Sequence, residues 1–295
     1  MPIIDFHVHT TSEPLWGLHT NSATIDDLRG LALKHQIEKM VLLATSFPLR
    51  GTGTTTARLI DKVDGDPLFA PFGTLNVEAG VEAGVLELDR FAKRGQLAGI
   101  KLYPGYQNFT AEDEEVFPVY ELARSYNLPV IIHAGDLHEC CPKKERQVGK
   151  FRCGYGYCPL FTDRKEMARP LWAFRAMRRF PTVKFVLAHL ASPWHWELRE
   201  IMNLCPNSFT DISGLFNSVH WHENQKAMVH LTRWIRSLIK KLPNGEDRIL
   251  FATDFPIQSY EDTFQLVDRL CVSERIREKI FCENARFVLD KKQEV

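Results

Sequence analysis

Residues 3–9 read IIDFHVH, an apolar, β-branched run that ends on two histidines. Seven further segments share its composition: KMVLLATS at 39–46, LFAPFGTLN at 68–76, AGIKLYP at 98–104, PVIIHAG at 129–135, KFVLAHL at 184–190, SFTDIS at 208–213 and ILFATDF at 249–255. Short apolar runs bounded by Gly, Pro, Asn or Asp read as strands. The stretches between them have helical period and caps, so each strand is followed by a helix that returns the chain to start a parallel neighbour. Eight such units over 295 residues predict a single-domain α/β (β/α)8 TIM barrel spanning 1–295. A flat doubly wound sheet fits less well, because strand one is not followed by a Gly-rich phosphate fingerprint.

Local signals agree with that order. Thr110 and Asp113 are expected to open a helix through PVYELARSY, with Pro118 in its early turns and Asn127 and Pro129 closing it. Ser192 followed by Pro193 is expected to be an N-cap with proline at the first helical position. Gly95 should end a helix whose apolar stripe is Val85, Leu88, Phe91 and Ala92. Trp172, Phe174 and Trp234 are read as outer-helix packing, and His35 and His230 as surface or helix-packing residues.

Composition narrows the function. With 37 Lys and Arg against 37 Asp and Glu, the formal net charge of +0 leaves no electrostatic footprint for nucleic acid or an anionic membrane. No apolar run approaches the ~20 residues of a membrane span, and MPIIDFHVHT lacks the basic and apolar regions of a signal peptide. The expectation is a soluble, cytoplasmic protein whose partner is a small molecule; a homo-oligomer is left open. Seven cysteines in a chain large enough to bury its own core argue for reduced thiols.

Barrel chemistry sits at the C-terminal ends of the strands. There strand one ends on His7 and His9, strand four on Lys101, strand five on His133, strand six on His189 and strand eight on Asp254. Two histidines two residues apart leave one side of a strand and can converge on one ion. The pair alone is a weak signal, since the 11 histidines also place His220 and His222 in the same spacing. Its weight comes from the other strand ends, where buried His and Asp need a partner or a metal.

Taken in order, FHVH, GIKLYP, IIHAG, VLAHL, FATDFP and the terminal ENARFVL resemble the amidohydrolase superfamily, in particular its amidohydrolase-2 branch, from Asp5 to Leu289. PHP phosphoesterases share the opening but not the later residues, and TatD-type nucleases lack GIKLYP. The resemblance implies a metal held by His7, His9, His133 and Asp254, with His189 as a catalytic or second-ion residue. Zinc suits such ligands, with manganese as a substitute. One ion is usual in this branch. In binuclear relatives the strand-four lysine, here Lys101, would carry a carbamate bridging two ions; otherwise it would bind a substrate carboxylate or pair with a carboxylate.

The implied chemistry is hydrolysis of an amide, lactone or ester by a metal-activated water, with Asp254 as base and His189 bonding the substrate carbonyl or its oxyanion. The same branch also contains non-oxidative decarboxylases, for which Arg50 and Lys101 would supply a carboxylate clamp. A non-catalytic binding protein with a structural metal is a third reading. Tyr103, His19, His220 and His222 are expected to contact substrate, with Tyr106, Gln107 and Asn217 as further candidates. Residues 136–164 form an insertion after strand five, long for a βα loop, that gathers His138, Cys140, Cys141, Cys153 and Cys158. A second, structural zinc site, a disulfide and packed thiols are all open for it.

Overall fold

The computed structural model describes residues 1–11, 23–47, 53–137, 164–216 and 221–291, with the backbone alone at 221–224. The eight predicted strands form one parallel sheet in chain order: β1 (Ile3–Val8), β2 (Ile37–Leu43), β3 (Phe69–Gly73), β4 (Gly99–Leu102), β5 (Val130–Ile132), β6 (Phe185–Leu187), β7 (Ser208–Asp211) and β8 (Ile249–Leu250). Backbone bonds close the sheet on itself. Phe6 N donates to Phe251 O at 3.0 Å, His9 N to Phe255 O at 2.8 Å and Asp254 N to His7 O at 2.7 Å.

Closure gives each strand two buried faces. Ile4, Phe6, Val41, Leu43, Phe72, Ile131, Val186, Phe209 and Leu250 fill the interior, and Cys282, Ala285 and Val288 pack with them from the C-terminal segment. The opposite faces pack on α1 (Ile25–His35), α2 (Thr56–Val63), α3 (Val81–Lys93), α4 (Phe117–Ser125), α5 (Phe174–Arg179), α6 (His195–Leu204), α7 (Trp221–Lys241) and α8 (Tyr260–Arg269). Thr24 starts α1 with a reciprocal capping box to Asp27, and Gln36 ends it in the left-handed conformation. No helix among the described residues is long and apolar enough to cross a membrane.

The caps came out unevenly. Gly95, with φ +70°, follows the end of α3 as expected. Thr110 and Asp113 do bond each other, at 2.8 and 2.7 Å, yet they close a turn, and α4 begins only at Phe117 with Pro118 in its first turn. Proline lacks the N–H that an interior position needs, so the helix starts around it. Ser192 is no N-cap either, because α6 begins at His195. Phe174 and Trp234 pack against the core as expected.

One buried cation is purely architectural. Arg248, 5% exposed, donates to the carbonyls of Ser208 at 2.8 Å, Met202 at 2.6 Å and Cys205 at 2.7 Å, joining the end of α6 to the start of β7. Removing the guanidinium takes a donor from the buried Ser208 and Met202 carbonyls, at about 1–3 kcal/mol each, while the Cys205 carbonyl keeps Ser208 N and Oγ. Arg248→Met is expected to lower stability by roughly 3 kcal/mol in urea melts while metal content stays unchanged. A melt equal to the parent's would remove this role.

Candidate metal centre

β1 departs from regular alternation just where its histidines lie. Ile4 and Phe6 belong to the barrel interior, whereas Val8 belongs to the outer layer, and the register with β2 shifts between Asp5 and Val8. An irregularity of this kind re-aims side chains. Here it moves the inward face from even to odd residues, so that Phe6 stays in the core and His7 and His9 reach the mouth.

At the mouth, ligand atoms of His7, His189 and Asp254 lie within 4.8 Å of one another, all three residues being buried. His9 joins through Asp254, whose Oδ1 is 3.1 Å from His9 Nε2 and 3.6 Å from His7 Nε2. Neither contact has hydrogen-bond geometry, and buried Asp254 Oδ1 has no hydrogen-bond partner among the described residues. On the far side of the ring, His7 Nδ1 meets Asp211 Oδ2 at 3.0 Å. A carboxylate accepts, so the proton sits on Nδ1 and Nε2 keeps its lone pair. His189 follows the same logic: its Nδ1 is 3.0 Å from the Ser213 carbonyl, an acceptor, which leaves Nε2 bare.

Electrostatics point the same way. Burial, helped by Lys101, lowers the His7 imidazole to about 3, and burial likewise pushes His133 and His189 down, so all three are neutral at pH 7. Burial opposes charge on Asp254, yet His7, His9 and His189 around it hold the carboxyl down at about 2. Asp211 is also held ionised: burial opposes its charge, but His7, His189 and Ser213 together outweigh it. Among the described residues, two buried carboxylates face one ammonium, Lys101, whose burial brings it down to about 8. Buried negative charge in excess of its counter-charge is costly unless a cation arrives. Bare imidazole nitrogens and a carboxylate oxygen suit a borderline divalent ion.

The expected residues divide as follows. His7, His9 and Asp254 come together, but His189 stands in the three-residue group in place of His133. The His133 ring is 5.0 Å from that of His189, and its Nε2 lies 3.3 Å from the Asp136 carbonyl. Placing His189 as an oxyanion donor needs correcting, since its N–H is spent on Ser213. Lys101 Nζ is buried with no hydrogen-bond partner among the described residues, 5.2 Å from the Tyr103 ring. Tyr103 offers substrate only its ring, because its hydroxyl donates to the Ala44 carbonyl at 2.7 Å. Gln107 is not a substrate contact: it is 1% exposed and bonded to Val77 N, Ser46 O and Leu75 O. Tyr106 packs on His133 at 4.8 Å and on Phe47 at 5.1 Å. His19, Arg50, Asn217, His220, His138, Cys140, Cys141, Cys153 and Cys158 lie outside the described residues, as does the His222 side chain.

Asp211, Ser213 and Gly214 were missed by sequence reasoning. Ser213 Oγ donates to Asp211 Oδ1 at 2.5 Å and lies 2.9 Å from His189 Nδ1 and 3.2 Å from His7 Nδ1. Asp211 Oδ1 also accepts the His189 backbone N–H at 2.9 Å. The available signal was a carboxylate ending β7 in SFTDIS, at the height where the other strands place their polar ends.

Comparison with known structures finds the same barrel. A TIM-barrel protein from Bordetella bronchiseptica superposes with a TM-score of 0.72 at 18% identity, covering 99% of each chain. A dihydroxybenzoic acid decarboxylase from Polaromonas sp. JS666, with bound manganese and the inhibitor 2-nitroresorcinol, gives 0.65 at 19% identity over 98% of this chain and 96% of that one. A probable 2-pyrone-4,6-dicarboxylic acid hydrolase from Acinetobacter baumannii, with citric acid bound, gives 0.67 at 13% identity over 98% and 99%. No curated protein matches significantly. A family model described as amidohydrolase matches residues 4–291, nearly the whole length. The chain belongs to the amidohydrolase family.

Proposed function

We infer that this protein is a metal-dependent hydrolase that cleaves an amide, lactone or ester bond of a small molecule. The observation that carries the reading is the convergence of Asp254 Oδ1 with His9 Nε2 at 3.1 Å and His7 Nε2 at 3.6 Å without a hydrogen bond between them. His7, His189 and Asp254 would hold one divalent ion, zinc by donor type or manganese in its place, with His9 beside them and His133 at the rim. Bound there, the ion would supply Lewis acidity and a more acidic water. Asp254, ionised and buried, takes the proton of the attacking water and returns it to the leaving group. Burial keeps His7 and His189 neutral, and their bonds to Asp211 and Ser213 fix the remaining proton on Nδ1. Lys101 draws a substrate carboxylate or polarised oxygen toward the site.

A second reading, loss of CO2 from an unsaturated or aromatic acid, has its own observation. The Lys101 ammonium lies beside Tyr103, whose ring joins those of Phe47, Tyr106 and His133 in one wall, a fit for a flat anion. Incubation with candidate lactones and with hydroxylated aromatic acids, scoring ring opening against CO2 release, separates the two. Turnover only by CO2 release would replace hydrolysis with the second reading. Turnover that persists after complete chelation would remove both.

Lys101 also carries a stability signature. Its ammonium ionises at about 8 when folded against the ordinary 10.5, so the folded state prefers the neutral amine. The cost is full below pH 8, shrinks as pH rises toward 10.5 and vanishes above it. At 1.36 kcal/mol per pKa unit it is of order 3 kcal/mol. Lys101→Met is therefore expected to melt several degrees higher than the parent in metal-free protein at pH 7, by about 2 °C per kcal/mol, and to show no gain near pH 11. Lower stability at both pH values would mean that the ammonium is paired.

A further inference from the structure

His189 is presented by an unusual piece of backbone. His189, Leu190 and Ala191 all have left-handed φ, at 60°, 49° and 47°, and none is glycine. Each such residue costs roughly 1–2 kcal/mol, so the turn persists only where its surroundings over-determine it. Three bonds donated by backbone N–H groups brace it: His189 N to the Asp211 side-chain Oδ1 at 2.9 Å, Ser192 N to His189 O at 3.0 Å and Trp194 N to Ala191 O at 2.6 Å. The fourth brace has a side-chain donor. His195, 9% exposed at the start of α6, places Nδ1 2.9 Å from the Leu190 carbonyl. A carbonyl only accepts, so His195 Nδ1 carries the proton and donates it.

His195 is itself fixed from the outside. Its ring leans on Trp234 of α7, centroids 5.5 Å apart and 34° from parallel, with the His230 ring at 6.0 Å. The inner bonds to the turn belong to the metal centre or to the backbone. The bond from His195 ties the same turn to the outer helical layer.

We propose that His195 is a positioning residue: through the Leu190 carbonyl it locks the left-handed turn that aims the His189 imidazole into the metal centre. The proposal rests on the reading of His189 as part of an ion-binding site. His195 touches neither ion nor substrate. Its contribution is the orientation of one imidazole six residues earlier in the chain.

The test compares His195→Phe, which keeps a ring against Trp234 but removes the donor, with His195→Asn, whose amide restores a donor at the same distance from the backbone. His195→Leu serves as a second donor-free variant should the phenylalanine not fold. Two signals are read on each folded protein. One is the visible absorption during titration with Co2+ alone. The other is the His189 Nδ1–H resonance in metal-free, 15N-histidine-labelled protein, protected by its bond to Ser213. Expected for the donor-free variants are about tenfold weaker Co2+ binding with an altered band, and an exchange-broadened His189 signal, both restored within about threefold in His195→Asn. Parental binding, band and resonance in the donor-free variants would overturn the proposal. If the parent protein shows no Co2+ band, the ion-binding reading fails. The His189 resonance then decides the proposal alone: loss without the donor and return with asparagine supports it, and no change overturns it.

Discussion

Asp254→Asn is expected to lower turnover by about 10²-fold or more while the protein keeps much of its metal, because the amide retains an oxygen lone pair but loses the charge and the basicity. The site favours this separation. Asp254 Oδ1 faces His7 and His9, and Oδ2 lies 4.0 Å from His189 Nδ1. The carboxylate thus spans the imidazoles with both oxygens, which on the proposed reading would leave one for an ion and one for a proton. His7→Ala should instead lose the ion itself, since the substitution removes a bare nitrogen already oriented by Asp211. Metal content and steady-state kinetics on the two variants check the split. Equal metal loss in both would reduce Asp254 to a ligand.

Gly214→Ala should disable the site without removing a charged or ligating atom. Gly214 has φ +61°, a conformation that alanine adopts at a cost of about 1 kcal/mol. Its added Cβ would lie 2.7 Å from Asp254 Oδ2 and 2.7 Å from His189 Nδ1. Neither neighbour yields easily. Asp254 has a left-handed φ of 58° of its own, and His189 sits in the braced turn described above. The methyl group therefore drives two of the three converging residues apart. A loss of metal affinity of about 10- to 100-fold is expected, the size seen when groups that orient ligands are disturbed. Competition against a chromophoric chelator measures it, and a melt beside it should show only a modest drop. Unchanged affinity would mean that Asp254 and His189 do not share an ion.

The barrel was legible because its determinants are local and repeated: eight apolar runs, each followed by helical period, leave few topologies open. The strand ends were legible for a related reason. A histidine or aspartate after an apolar run is out of place unless it has a task, and His7, His9, His189 and Asp254 all stand there. What sequence could not supply was which of these converge. His133 and His189 look alike in IIHAG and VLAHL, and only the left-handed turn after β6 brings His189 against His7 and Asp254. Asp211 escaped for the opposite reason. SFTDIS reads as an alternating strand with a polar end, and nothing in it shows that the carboxylate turns inward behind His7 rather than out to solvent. For Tyr103 the sequence could not show that its hydroxyl is taken up by the Ala44 carbonyl, which leaves the ring alone to face a substrate. The irregularity in β1 is likewise invisible in IIDFHVH, although it decides which residues face inward.

The central claim is that a single divalent ion sits among His7, His189 and Asp254. Crystals of protein equilibrated with zinc, with diffraction recorded on both sides of the zinc absorption edge, test it most directly. The account predicts one anomalous peak at the barrel mouth, about 2.0–2.2 Å from His7 Nε2 and from an Asp254 oxygen. No peak there, or a peak held by other residues with these three still unliganded, would contradict it.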